Sequence, residues 1–326
     1  MNNVPKTPAS PKRMALGNIT SGKQAKPVTV LLHGTEGVGK STFGSCAPNP
    51  IFLCSEKGTA HLDVARFPQV GTWDDALEAI DVLTIETHKY ETLVVDTLDC
   101  LEPFCWQYVV DHDVAMKSGK KPRDIEEACS GFQKGYIVAL SQWAIFLNRL
   151  EKLQEKRGMH VVLLAHTVKR MFRNPEGDDF ERYELQLHPK TAGKIMQWVD
   201  AVLFATYDTG TCKQGQKSVG ISDGSRIMRC EKRAAFDAKN RYGLPFRMPL
   251  SWDDFFAGVQ LGQPAPIEQM VAEARELGAT AGISAQVEKW IASIGTDASK
   301  VAAMLDHVRG KIRIMDLHTT EQADKQ

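Results

Sequence analysis

The chain lacks a net charge: 40 basic residues balance 40 acidic ones over 326 residues. A uniformly cationic nucleic-acid binder is thereby excluded, and any phosphate contact must come from local patches. No apolar run approaches the roughly 20 residues that a membrane-crossing helix needs, so no membrane partner is expected. The opening residues also lack the apolar segment of a secretory leader. The 7 cysteines form no C-x-x-C pair and no Cys/His cluster with zinc spacing. That argues against a disulfide scaffold or structural zinc and for a reduced, cytoplasmic setting. Acids are missing from residues 1–26, which carry Lys6, Lys12, Arg13, Lys23, Lys26 and several prolines. This stretch reads as a flexible basic N-terminal arm, either solvated or in contact with nucleic acid.

What is present is led by Gly34-Thr35-Glu36-Gly37-Val38-Gly39-Lys40-Ser41, which fits G-x-x-x-x-G-K-[ST]. An apolar run, 28–32, precedes it as a strand, and Thr42 to Cys46 can open a helix. That context makes the match a phosphate site. The glycines let backbone N–H groups turn toward a polyphosphate, and the helix N-terminus adds positive partial charge. Lys40 is expected to reach the β- and γ-phosphates of ATP, and the Ser41 hydroxyl to hold Mg²⁺.

Downstream, apolar strands alternate with helices. Strands are expected at 28–33, 51–54, 92–95, 160–165, 199–206 and 227–230, with helices at 73–87 and 126–156. Such alternation predicts an α/β fold, a mainly parallel sheet between helices. Gln263-Pro264-Ala265-Pro266 marks a boundary. The expected organisation is an arm over 1–26, a core over 27–262 and a helical C-terminal extension over 263–326. Helices are expected in that extension at 267–277, 285–294 and 299–312.

A phosphate loop needs a second metal partner, and Thr92-Leu93-Val94-Val95-Asp96 delivers a carboxylate at a strand end. Asp96 is the expected Mg²⁺ partner, through water. Thr97 follows it where many such ATPases carry a Glu, so the group that polarises the attacking water must come from elsewhere. Glu56, just past the strand 51–54, is the first choice, since ligands gather at the carboxyl ends of parallel strands. Asp99 is the second. His166, ending the strand 160–165, is placed to sense the γ-phosphate.

After His166 come Lys169, Arg170, Phe172 and Arg173, followed by Asn174-Pro175. The segment reads as a loop in which cations meet nucleic-acid phosphates and Phe172 stacks on bases. Lys117, Lys120, Lys121 and Arg123 form a further basic loop, a second contact or a plain insertion. Lys232, Arg233, Lys239 and Arg241 follow the late strand. Such cations could complete a neighbouring subunit's site, where they raise turnover by about 10³–10⁵.

Assembled, residues 28–250 resemble the RecA/RadA recombinase superfamily of P-loop ATPases. Gly34-Thr35-Glu36 carries an acid at the same loop position as in bacterial RecA. Phe52-Leu53-Cys54-Ser55-Glu56 resembles the strand that ends in the family's catalytic Glu. Leu93-Val94-Val95-Asp96-Thr97-Leu98 resembles its metal-Asp strand. Met171-Phe172-Arg173-Asn174-Pro175-Glu176 is close to its second DNA-binding loop. The 229–236 segment looks like the one that sends lysines across the filament interface, and 239–243 is similar to the finger region of DnaB-type helicases. His166 stands where RecA has a glutamine. The compact form looks most like phage RecA-like ATPases, including the Sak-type single-strand annealing proteins. The resemblance implies a RecA-like, Mg²⁺-dependent ATPase that binds single-stranded DNA and promotes annealing or recombination as a ring or filament, in the host cytoplasm. The C-terminal helices lie outside the resemblance and have an open role, a single-strand-binding or replication protein being one partner they could meet. The rivals are a DnaB-like helicase or helicase loader, a nucleotide-switched binding module and, weakest, a small-molecule kinase.

Overall fold

A computed structural model describes residues 26–113, 121–175, 177–214 and 217–262, together with Ile19 and parts of 271–308. The chain divides into two units, Lys26–Gly262 and a second comprising the N-terminal residues to Ala25 with Gln263–Gln326.

The first unit is built on β1 (Thr29–Gly34), which is buried at every position. It pairs in parallel with β5 (His160–Phe172) on one side and β7 (Ala201–Gln214) on the other. The sheet continues through β4 (Thr92–Asp96), β2 (Pro50–Cys54) and the short β3 (Ala65–Arg66), all parallel. Beyond β7 it turns antiparallel through β8 (Lys217–Arg229) and β10 (Arg247–Pro249), giving the order β10-β8-β7-β1-β5-β4-β2-β3. Two short pairings lie off this path: β6 (Phe180–Leu185) on β5 and β9 (Lys239–Asn240) on β7.

The central strands are apolar on both faces, so both must be covered. On one face lie α2 (Trp73–Ile85), α3 (Leu98–Asp111), α4 (Lys134–Arg157) and α5 (Pro189–Trp198), packed on Leu31, Val95, Leu163 and Val202. Trp73 meets Trp143 edge-on at 5.0 Å, and Phe146 closes the cluster. Each such side chain, once buried, stabilises the fold by roughly 1.5–3 kcal/mol. The other face is covered by α1 (Lys40–Ser45) and α6 (Trp252–Gly262), where Phe43, Trp252 and Phe255 pack on Leu32, Val94 and Leu164. The fold is the expected mainly parallel sheet between helices.

Several elements differ from the sequence reading. Helix α3 was not expected, because Pro103 interrupts its hydrogen bonding; buried Leu98, Leu101, Cys105 and Val109 hold it together. Helix α4 begins at Lys134 rather than residue 126, because Cys129, Ser130, Phe132 and Gln133 all have positive φ and stop the helical path. Strand β5 continues past Ala165 to Phe172, so the segment after His166 is not a loop. It pairs antiparallel with β6 from Thr167↔Leu185 to Phe172↔Phe180. Strands β7 and β8 likewise extend into a long hairpin.

In the second unit, α7 (Ser284–Ile294) buries Val287 in a small core with Ala274, Val301, Met304 and Val308. The remainder of the helices expected at 267–277 and 299–312 lies largely outside the described residues, as do the basic arm up to residue 25 (Ile19 apart), Lys117 and Lys120. Of that basic loop, Lys121 pairs with Asp111 and Arg123 with Glu127.

Candidate nucleotide site

The loop from Gly34 to Gly39 joins β1 to α1 at the carboxyl end of the sheet. Gly34 is required by close approach: a Cβ there would lie 2.4 Å from the Ala205 carbonyl. Gly39 caps α1 with φ 104°, a conformation costly for any other residue. Lys40 is buried, its Nζ donating to the carbonyls of Gly34 at 3.1 Å and Thr35 at 3.0 Å. Burial lowers its pKa, while Asp99, Asp96, Glu56 and Glu36 pull it back. The charges of those four acids therefore act on one ammonium. Val38 is buried, whereas Glu36, Gly37 and Thr42 are exposed at the loop's outer side.

Asp96 ends β4 fully buried, and neither of its carboxylate oxygens has a partner of good hydrogen-bond geometry, although the Ser41 hydroxyl lies close enough to favour its charge. Burial pushes its pKa up, opposed by the Ser41 hydroxyl and Lys40. An unpaired buried carboxylate costs several kcal/mol unless something cationic joins it. A divalent ion shared by Asp96, Ser41 and phosphate oxygens fits this donor set, because Mg²⁺ takes few protein ligands. Among the described residues no larger cluster of metal-binding side chains occurs.

Glu56 sits half-buried after β2, with the Cys100 thiol 3.6 Å from its Oε2. Asp99 has a different engagement. Its Oδ1 accepts from the His166 amide and its Oδ2 meets His166 Nδ1, each at 2.8 Å. Against the cost of burial, these bonds hold the Asp99 carboxyl below its ordinary range. In turn the bond to Asp99 raises the His166 pKa despite burial. Asp99 is thus the orienting partner of His166 and favours its protonated form, leaving Glu56 as the carboxylate with fewer commitments. The tie joins positions 67 apart in the chain; an acid in the first turn after a strand was its sole sequence signal.

Lys169 and Arg170 stand exposed on the extended β5. Lys169 lies 5.5 Å from the Tyr183 ring centre and Arg170 is 3.9 Å from Glu184. Phe172 is half-buried against Phe180, with the Arg182 guanidinium over its ring, and Arg173 is exposed. The opposite leg carries Asp178, Asp179, Glu181 and Glu184 beside Arg182, so acids face the cations of β5 across the hairpin.

The four late cations divide. Lys239 Nζ donates to the carbonyls of Met196 at 2.9 Å, Gln197 at 2.9 Å and Val199 at 2.5 Å, closing the end of α5. Arg241 pairs at 3.1 Å with buried Asp200, at the amino end of β7 and so at the far end of the sheet from its own phosphate loop. Both therefore have partners within their own subunit, for a physical reason: a helix end needs donors and a buried carboxylate needs counter-ions. Lys232 and Arg233 stay exposed, Lys232 3.2 Å from Asp237 and Arg233 over the Phe246 ring at 4.4 Å.

Two residues absent from the sequence reading also reach the loop. The Tyr207 hydroxyl donates to the Gly37 carbonyl at 3.2 Å, and Arg226 lies against Gly39. They come from the β7/β8 hairpin, and no local motif marks them.

A glycine-rich turn capping a helix at the carboxyl end of a parallel sheet, with a buried lysine and a buried carboxylate beside it, defines a P-loop nucleotide-binding protein. Residues 26–242 match the model of the AAA-domain family AAA_24. That is more than half of the chain, and the chain belongs to this family of P-loop ATPases. It is also similar to the SPbeta prophage-derived uncharacterized protein YorG of Bacillus subtilis (strain 168), 24% identical over 167 residues, 49% of this chain. The match covers 47% of that relative, about half its length. Among the described residues, no helix is long and apolar enough to cross a membrane.

Proposed function

We propose that the protein hydrolyses ATP with Mg²⁺, binds single-stranded DNA and promotes strand annealing in recombination, as a RecA-like ATPase of phage origin acting in the host cytoplasm. The observation that carries this reading is the continuity of β5. His166 at the nucleotide end and Lys169, Arg170 and Phe172 stand on one unbroken strand. A displacement of His166 by the terminal phosphoryl is therefore delivered to the hairpin a few residues away, with no hinge between. Lys40 holds the phosphates, Asp96 and Ser41 would hold the metal ion, and Glu56 orients the attacking water. Assembly into a homo-oligomer would bring Lys232 and Arg233 to a neighbour's site, a role that the internal pairing of Lys239 and Arg241 makes harder for those two. The second unit, with a small core of its own, is the element proposed to meet a single-strand-binding or replication protein.

The test is ATPase rate with and without single-stranded or duplex DNA, alongside annealing of complementary oligonucleotides. Single strands are expected to raise turnover several-fold and the protein to accelerate annealing. Alanine at Lys169, Arg170 and Arg173 together should remove both effects and flatten the salt dependence of binding. Native protein that neither anneals strands nor responds to them sinks the reading, and unwinding of a forked duplex without annealing transfers it to a helicase.

A further inference from the structure

The groups placed to meet a terminal phosphate all stand on one side of β1. His166 lies on β5, Asp96 ends β4 and Glu56 follows β2, in the order β1-β5-β4-β2. A nucleoside triphosphate has two ends. With its terminal phosphoryl toward β5 and β4, its nucleoside leaves on the other side of β1, where β7 and β8 lie. There Tyr207 and Arg226 are direct partners in the β7/β8 ladder. The guanidinium carbon sits 5.9 Å from the centre of the Tyr207 ring. Both side chains reach the phosphate loop itself. Tyr207 is tied to the Gly37 carbonyl at 3.2 Å. A Cβ built on Gly39 would lie 2.9 Å from Arg226 Nη1 and 3.7 Å from Leu250 Cδ2. Arg226 is held from behind, its carbonyl accepting from the Leu250 amide at 3.0 Å, while its side chain is exposed.

We infer that Tyr207 and Arg226 form a nucleoside platform, on which the base of the bound nucleotide stacks as its triphosphate enters the loop. This rests on the reading that Gly34–Ser41 binds a nucleoside triphosphate, and adds to it a site for the base. A planar guanidinium paired with an aromatic ring offers the surface on which a base stacks. Every base has such a face, so the platform recognises a nucleoside without selecting strongly among bases. A single stacked base contributes on the order of tenfold in affinity.

The experiment is calorimetric titration of the full-length chain with ATP, GTP and inorganic tripolyphosphate. Native protein is expected to bind ATP and GTP with similar affinity, each more tightly than tripolyphosphate. Arg226→Ala and Tyr207→Leu should weaken ATP about tenfold and leave tripolyphosphate unchanged. Arg226→Lys, which keeps the charge and loses the plane, should behave as Arg226→Ala does. Tyr207→Phe, which keeps the ring, should retain native ATP affinity. Melting curves establish that each variant is folded. Equal weakening of ATP and tripolyphosphate overturns the platform, because it makes Arg226 a phosphate or loop residue. Unchanged ATP binding in both Arg226 variants overturns it too. If native protein binds tripolyphosphate in a Lys40-dependent way but ATP no more tightly, the platform fails while the phosphate-loop reading stands. If it binds none of the three, that reading fails and the platform falls with it.

Discussion

Two carboxylates buried at opposite ends of the same sheet have opposite surroundings. Asp200, at the amino end of β7, is 3% exposed and fully engaged. Lys26 reaches its Oδ2 at 2.7 Å, Arg241 its Oδ1 at 3.1 Å, and the Tyr242 hydroxyl stands 3.5 Å away. Asp96, at the carboxyl end of β4, is 0% exposed and neither oxygen has a well-formed hydrogen bond. A fold that only needed to be stable would satisfy both, since a buried charge without a partner is costly. The difference separates an end that holds the chain together from an end whose charges are arranged for something that binds. The late cations follow the same division. Those at the amino end are consumed by the fold, and those on the loop after β8 remain exposed.

Neutralising each carboxylate in turn breaks this comparison most directly. Asp96→Asn removes a poorly compensated buried charge, so thermal stability is expected to hold or rise while ATP turnover drops by about 10²-fold or more. Asp200→Asn should do the reverse. Breaking a buried pair costs about 3–5 kcal/mol, but Lys26 and Arg241 are more than half exposed and can turn to water. A loss of about 1–3 kcal/mol is therefore expected, with turnover per folded molecule intact. Denaturant unfolding beside steady-state ATPase reads both. Matching stability losses in the two variants would end the division of labour.

This contrast also marks what was legible in the sequence. The loop from Gly34 to Ser41 and the strand ending in Asp96 are contiguous, and their chemistry is written in local spacing. Alternating apolar runs gave away the parallel sheet for the same reason. What escaped depends on contacts between distant segments. Asp99 and His166 meet across two strands, Tyr207 and Arg226 meet the loop from a hairpin far downstream, and Lys239 finds the end of α5 only once β9 has paired with β7. Lys169 to Arg173 looked like a loop because charges and the following Asn174-Pro175 hide a strand whose partner, β6, comes after the turn. Periodicity signals burial, and an exposed hairpin has little of it.

His33 sharpens the comparison from within the nucleotide end, because it is a buried polar group there that is satisfied. Its Nε2 lies 2.8 Å from the Asp237 carbonyl and its Nδ1 3.1 Å from the Thr167 hydroxyl. The neutral ring suits both: Nε2–H donates to the carbonyl and Nδ1 accepts from the hydroxyl. Burial lowers its pKa to about 4. Between the unfolded value near 6.5 and about 4, the unfolded chain binds the proton and the folded one does not. Stability is thus fully present above pH 6.5 and falls as pH drops toward 4, by about 3 kcal/mol in all. Unfolding free energies of native protein and His33→Gln, subtracted across this range, isolate the effect. A difference independent of pH would show that the ring is not held neutral.

The smallest expected effect tests whether the Asp99–His166 pair belongs to the structural class or to the ligand class. The Asp99 carboxylate is engaged at both oxygens, as Asp200 is, yet the charges of Lys40 and Glu56 act on the protonation of the ring. The raised pKa of His166 means that its contribution to stability is full below 6.5 and fades as pH rises through the folded value. The lowered pKa of Asp99 means that its contribution is full above the unfolded value near 3.8 and lost as pH falls through the folded one. The pair is therefore ionised between these limits, and His166 keeps its positive charge somewhat above pH 6.5. If that charge serves the terminal phosphoryl, ATP affinity relative to ADP declines as pH rises through the His166 pKa. Asp99→Asn then moves the decline to lower pH and costs about tenfold near neutrality, on the scale of one charge-assisted hydrogen bond. His166→Gln removes the part of the pH dependence that the ring supplies, and what remains is the titration of the nucleotide's own phosphate. Affinity ratios that follow the same pH curve in all three proteins would return the pair to the structural class, leaving Lys40 to meet the terminal phosphates in this subunit.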